Sequence, residues 1–242
     1  MNMTLTEIIH IRRSMRRFDM QAIFDHEAVT RALELALLAP NSSNLQTWQF
    51  YRLKDKARIA AMVPLCFKQN AARTASELVL FVSRPDLWKE RCRWQLDHTL
   101  QEMKSHPEDH KRQQKSLRYY GRSLPYFYRS DRLGIYTLIR RLNLVIQDLL
   151  RKPFLRWTSA ADIRVVSHKS LALAAENFML SMTDQGYATC PMEGFDEKKV
   201  KKLLNLPRQA EIGMIIACGK GLPEGIYAVR RRLPYDQVVI EL

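Results

Sequence analysis

The chain has 242 residues, 46% of them hydrophobic and 26% charged, a balance that excludes wholesale disorder and leaves enough length to bury a core. Eight glycines and ten prolines are too few for a collagenous or linker-dominated protein, and no apolar run approaches the roughly 18 to 20 residues of a membrane-spanning helix. Arg12, Arg13, Arg16 and Arg17 stand where a signal peptide would be most apolar, so the chain reads as unprocessed and cytoplasmic.

The formal net charge is +14, and from Arg84 to Lys169 there are 19 Lys or Arg against 9 Asp or Glu. Most of the excess is therefore concentrated in one middle third. A field of one sign attracts nucleic acid, anionic lipid or an anionic small molecule, and charge alone does not choose among them. Cys66, Cys92, Cys190 and Cys218 form no CxxC pair and read as buried free thiols. His106 and His110 are four apart, but a proline lies between them and no third ligand follows at a useful spacing, so no metal site is assigned.

In chain order, apolar residues recur at helical spacing from about Thr4 to Arg17 and again from Asp25 to Leu38, with Thr4 or Thr6 and Asp25 as caps. TWQFYRL and SELVLFVS then read as strands, the second apolar enough to be central in a sheet. A charged, aromatic-rich region follows. It ends in LGIYTLIRRLNLVIQDLLRK, where Ile135, Leu138, Ile139, Leu142, Val145, Ile146 and Leu149 make one wide face opposite Arg140, Arg141, Gln147, Asp148 and Arg151. Such a helix packs on its own domain or on a dimer partner, or lies on an anionic membrane. Leu171 to Gln185 reads as a buried helix closed by Gly186, and EIGMIIACG as another central strand. No repeat or linker divides the chain, so residues 1–242 are expected to form one α+β domain with an insertion at about 84–169.

Four segments carry candidate chemistry. Arg12-Arg13-Ser14-Met15-Arg16-Arg17-Phe18, read as the end of the first helix, concentrates guanidiniums suited to a phosphate. Asn41, Ser42, Ser43 and Asn44 form a polar loop between helix and strand, with amides and hydroxyls that match the polar edges of a heterocycle and equally make turns. Pro191, Met192, Glu193 and Gly194 place a turn after a short extended stretch, where glycine permits close approach of a ligand. Arg230, Arg231 and Arg232 form either a phosphate clamp or a solvated tail. Gly219-Lys220-Gly221 is a poor dinucleotide fingerprint, because Glu224 occupies the third glycine position and Pro223 and Gly225 argue against a following helix.

In this order and spacing, RRSMRRF, APNSSNLQTWQF, LALAAENFMLSMTDQGYATCPMEGFD and RRRLP together resemble the motifs of the nitroreductase family of flavoproteins. The resemblance implies an α+β sandwich with a central, mainly antiparallel sheet flanked by helices, forming a homodimer with FMN at each end of the subunit interface. It also implies that Arg12, Arg13, Ser14 and Arg16 hold the phosphate, ribityl chain and pyrimidine edge. Asn41, Ser42, Ser43 and Asn44 would reach the flavin from the partner subunit, Pro191, Met192, Glu193 and Gly194 would lie along the ring with the Glu193 N–H near N5, and Arg230 and Arg232 would complete the phosphate site. Positive charge at the pyrimidine edge favours the reduced flavin. Thr47 departs from the family's proline before Trp48, and a further family position has only Lys68, Gln69 and Asn70 as candidates.

The leading expectation is an FMN-dependent enzyme in which NADH or NADPH is the reductant and a nitroaromatic, quinone or similar small molecule the acceptor, in a ping-pong hydride-transfer reaction with no catalytic side chain. The alternatives are a reductive dehalogenase-like or other specialised flavoenzyme acting on an anionic aromatic, and a basic module for nucleic acid or membrane surfaces with a vestigial flavin site. No dedicated nucleic-acid site is assigned, and peripheral membrane contact stays open.

Overall fold

The computed structural model describes residues 3–131 and 133–242. Its elements are α1 (Leu5–Ile11), α2 (His26–Leu37), β1 (Trp48–Leu53), α3 (Lys56–Leu65), α4 (Asn70–Thr74), β2 (Glu77–Ser83), α5 (Trp88–Ser105), α6 (His110–Arg118), α7 (Leu124–Tyr128), α8 (Ile135–Leu149), α9 (Ala160–Asp184), β3 (Ala188–Met192), α10 (Glu197–Leu203) and β4 (Glu211–Gly219). The strands form an open antiparallel sheet in the order β1-β2-β4-β3. The two strands expected to be central, β2 and β4, are the inner pair, and every residue of β2 is buried.

The two-residue period of β2 divides the core. Leu78, Leu80 and Val82 join Ile59 and Met62 of α3 on one face, while Val79 and Phe81 meet Val29, Ala32 and Ala36 of α2 and Leu171, Ala174 and Phe178 of α9 on the other. At about 1.5–3 kcal/mol for each fully buried large apolar side chain, these two layers fix the strand register. A third cluster, with Leu45, Cys92, Leu124, Tyr128 and Ile163, lies where α5 and α7 meet the body.

Thr4 and Glu7 form a capping box that starts α1, and Asp25 caps α2. The first helix is shorter than the sequence suggests. It ends at Ile11, Arg12 turns away, and residues 14–18 run extended, because Met15 N–H donates to the Thr189 carbonyl (2.9 Å) and Arg16 N–H to that of Gly225 (2.9 Å). These non-local bonds, with burial of Met15 and Phe18, override the helical spacing. In the other direction, α9 is longer than expected, because Ser159 and Asp162 form a second capping box and start the central helix at Ala160. Residues 160–169 of the span read as an insertion therefore form its first turns.

Candidate active site

The first and last basic segments meet. Leu222 N–H donates to the Arg17 carbonyl (3.1 Å), Arg13 Nη2 donates to the Ala228 carbonyl (2.6 Å), and Arg230 Nη2 donates to that of Arg12 (2.7 Å). Arg12, Arg13, Arg16, Arg230, Arg231 and Arg232 thereby line one open hollow of about 360 Å³, with Ser14 and Tyr227 in its wall and no carboxylate lining it. Arg16 lies over the Tyr227 ring, 5.3 Å from its centroid. Desolvation first, and then the charges of Arg13, Arg232 and Arg12, pull the Arg230 guanidinium below its ordinary pKa. Six like charges converge here with nothing among the lining residues to offset them, the electrostatic signature of an anion site. A flavin phosphate fits this donor set.

The Cys190–Asp196 segment adjoins the hollow. Ser14 bridges Thr189 of β3 in parallel register, and Arg16 and Arg12 partly oppose the rise that burial imposes on the Cys190 thiol pKa. Pro191 is tolerated because β3 is an edge strand. Past Met192, which is buried, Glu193 and Gly194 are exposed at the strand end, and the Gly194 carbonyl accepts from Gln69 Nε2 at 2.7 Å. Asn70 Nδ2 donates to the Tyr227 hydroxyl (2.9 Å), and Arg73 Nη2 donates to Asn70 Oδ1 (2.6 Å). The Gln69–Asn70 strip therefore links the glycine turn to the arginine hollow.

Within one chain the Asn41–Asn44 loop does not join them. Ser43 (φ 58°), Asn44 (φ 49°) and Gln46 (φ 48°) adopt left-handed backbone, a costly conformation for serine and glutamine that the surroundings impose. Asn41 Oδ1 accepts from Gln46 N–H (2.8 Å), Ser170 Oγ from Ser42 N–H (3.1 Å), and the Asn44 carbonyl from Gln95 Nε2 (2.7 Å). The loop faces the aromatic region instead, with Ser43 Oγ 2.7 Å from the Tyr119 hydroxyl and its carbonyl accepting from Tyr120 at 3.0 Å. Arg12 meets α9 at Glu176 (3.8 Å), six residues beyond Ser170, or about 9 Å along the helix and on a different side of it.

Tyr227, Asn70, Arg73 and Arg231 are the contributions that motif reading misses or leaves unassigned. Of these, Asn70 and Arg231 carried a signal in the sequence, the first as a candidate for an unfilled motif position and the second within the terminal arginine run. The glycines after β4 are packing residues and open no α-helix, only the 3-10 turn Pro223–Gly225: a Cβ on Gly225 would stand 2.8 Å from both the nitrogen and the carbonyl oxygen of Arg17. A larger hollow, of about 560 Å³ near His26, Ile59 and Arg73, includes none of the four segments.

The chain is similar to several known proteins. Protein DrgA of Synechocystis sp. is 26% identical over 215 residues, covering 88% of this chain and 82% of that protein. The NADH dehydrogenase of Thermus thermophilus is 26% identical over 229 residues, covering 95% and 91%. A protein from Exiguobacterium sibiricum 255-15, solved in complex with FMN, has the same fold, with a TM-score of 0.70 at 19% identity over 99% of this chain and 98% of that one. The model of the nitroreductase family matches residues 9–220, and the chain belongs to that family of FMN-dependent NAD(P)H oxidoreductases.

Proposed function

We propose that this oxidoreductase takes NADH or NADPH as reductant and passes the electrons, in a ping-pong reaction, to a nitroaromatic, quinone or similar small acceptor. The observation that carries the assignment of the site is the hollow of six arginines. FMN, when bound, supplies a ring that accepts a hydride and hands on electrons, so the protein's part is binding, orientation and exclusion of water. Arg12, Arg13, Ser14, Arg16, Arg230 and Arg232 hold the phosphate and ribityl end, offsetting a dianion with several guanidiniums. Pro191, Met192, Glu193 and Gly194 line the ring edge, with the exposed backbone beyond Met192 offering an N–H.

Asn41, Ser42, Ser43 and Asn44 come from a second copy of the chain in this reading, because their own arginine hollow is on another side of α9. Exposed apolar side chains support that reading. Leu5, Ile9 and Ile11 of α1, Leu35 and Leu37 of α2, and Leu173 of α9 are each about half exposed, although α1 and α2 both pack on α9. No thiol serves as nucleophile at neutral pH, since burial pushes Cys66 and Cys92 up to about 11 and raises Cys190 and Cys218 as well. The chain is one domain in which residues 84–159 form the insertion, and its four free cysteines suit the cytoplasm. Among the described residues no helix is long and apolar enough to cross a membrane.

The decisive experiment is the visible spectrum of the freshly purified protein, followed by anaerobic NADH or NADPH and then an acceptor panel, with sedimentation to read the oligomeric state. Flavin bands that bleach with reductant and return with a nitroaromatic or quinone are expected. A colourless protein that takes up no added FMN overturns the site assignment, and a monomer that retains FMN overturns the shared site.

A further inference from the structure

Helix α8 is mounted with its polar side inward. Arg140 is only 2% exposed, and its guanidinium donates to the carbonyls of Tyr136 (3.1 Å), Tyr126 (3.2 Å), Phe127 and Arg129 (2.9 Å). Asn143 Nδ2 donates to the Tyr126 hydroxyl at 2.7 Å on the same side, where Thr137 and Gln147 are half-buried. The spacing 137, 140, 143, 147 marks one helical face, and that face is the attachment.

The apolar face points away from the body. Ile135, Leu138, Leu142, Val145, Ile146 and Leu149 are 50–82% exposed, and Leu133 just before them is 85% exposed. Rolling the helix to bury this ridge would strip the Arg140 guanidinium of the three carbonyl partners that lie outside α8, those of Tyr126, Phe127 and Arg129, so the outward ridge is the built arrangement. Arg129, Arg141, Arg151 and Lys152 are exposed along the same segment. Its carboxylates are already engaged: Asp131 accepts from the N–H groups of Ile135 (2.9 Å) and Tyr136 (3.3 Å), and Asp148 pairs with Arg156 (2.9 Å).

We propose that α8 is a monotopic anchor that lies on an anionic phospholipid surface, its ridge at the boundary of headgroups and acyl chains and its flanking cations against lipid phosphates. Fifteen residues make a helix of about 22 Å, short of the roughly 30 Å hydrocarbon core, so it lies on the bilayer and does not cross it. A two-fold contact between copies of this face would set the same cations against one another on chains of net charge +14. Nucleic acid has no use for the apolar ridge. This inference does not depend on which acceptor the enzyme reduces.

The test is flotation of the full chain with vesicles of phosphatidylcholine alone and of phosphatidylcholine mixed with phosphatidylglycerol. Binding to the mixed vesicles alone is expected, with loss in about 1 M salt, where the Debye length falls to about 3 Å. Leu142→Glu and Val145→Glu alter exposed positions and leave the fold in place, and each should weaken vesicle binding about ten-fold. Ile23→Glu, at a site 95% exposed on the segment between α1 and α2, adds the same charge and should leave binding unchanged. The proposal is overturned by absence of binding to the mixed vesicles, or by equal losses at Leu142 and Ile23. It is also overturned if Leu142→Glu shrinks the sedimenting species while vesicle binding persists, which makes the ridge a contact between copies.

Discussion

Arg16 and Arg17 are adjacent, exposed and equally charged, yet only Arg16 lines the arginine hollow and covers Tyr227. Arg16→Ala and Arg17→Ala remove the same unit of net charge, so any difference between them measures contact at the site. A charge-assisted bond to phosphate contributes about 1.5–3 kcal/mol, and exposure of Arg16 to solvent places it toward the lower part of that range. About 2 kcal/mol corresponds to about thirty-fold in Kd. For Arg17, whose backbone carbonyl rather than its guanidinium is engaged by Leu222, surface substitution is worth within about 0.5 kcal/mol, or about two-fold. Titration of apoprotein with FMN, followed by quenching of flavin fluorescence, reads both constants, and repeating it at high salt removes the shared long-range part while leaving the difference. Equal weakening by the two variants, or no weakening by either, would falsify the placement of the phosphate among these arginines.

Gly225→Ala drives a methyl into the Arg17 backbone and the Met15 side chain, so a stability loss of about 2 kcal/mol in urea unfolding is expected, together with weaker FMN binding through displacement of Arg16. Wild-type stability in this variant would show that the segment relaxes freely. Glu77 is fully buried between Arg52 (Nε–Oε1 2.6 Å) and His26 (Nδ1–Oε2 2.8 Å), so Glu77→Ala leaves Arg52 without its carboxylate and should cost about 3 kcal/mol or more in the same assay. A cost under about 1 kcal/mol would remove the pair from the supports of the sheet. Glu211 is bonded by His168 and Arg164; desolvation raises its pKa, but those bonds outweigh it and leave the folded value below the ordinary one. Its contribution is therefore complete above the ordinary glutamate value and disappears as pH falls through the lowered folded value. Thermal melts against pH should show a shallower acid limb for Glu211→Gln, and superimposable limbs would contradict the assignment.

The layers of the fold are legible because they rest on local periodicity. SELVLFVS and EIGMIIACG announce an inner pair of strands, and Asp25 and Gly186 punctuate helices where the structure starts and ends them. What the sequence hides is whatever depends on a distant carbonyl. Residues 12–18 carry a helical pattern, yet Thr189 and Gly225 draw Met15 and Arg16 into extended backbone, and only then do the first and last arginines share a hollow. Tyr227 and Arg73 have no motif because their roles come through Asn70, a partner 157 residues from one and three from the other. The amphipathic pattern of 135–149 shows the same limit most sharply. Periodicity establishes that the helix has two unlike faces, but the choice of inner face was decided by the backbone carbonyls around Arg140, which one buried guanidinium satisfies and no apolar side chain could. The ridge left outside is thus a consequence of polar satisfaction within the protein, and it puts an exposed apolar surface beside the exposed cations Arg129, Arg141, Arg151 and Lys152.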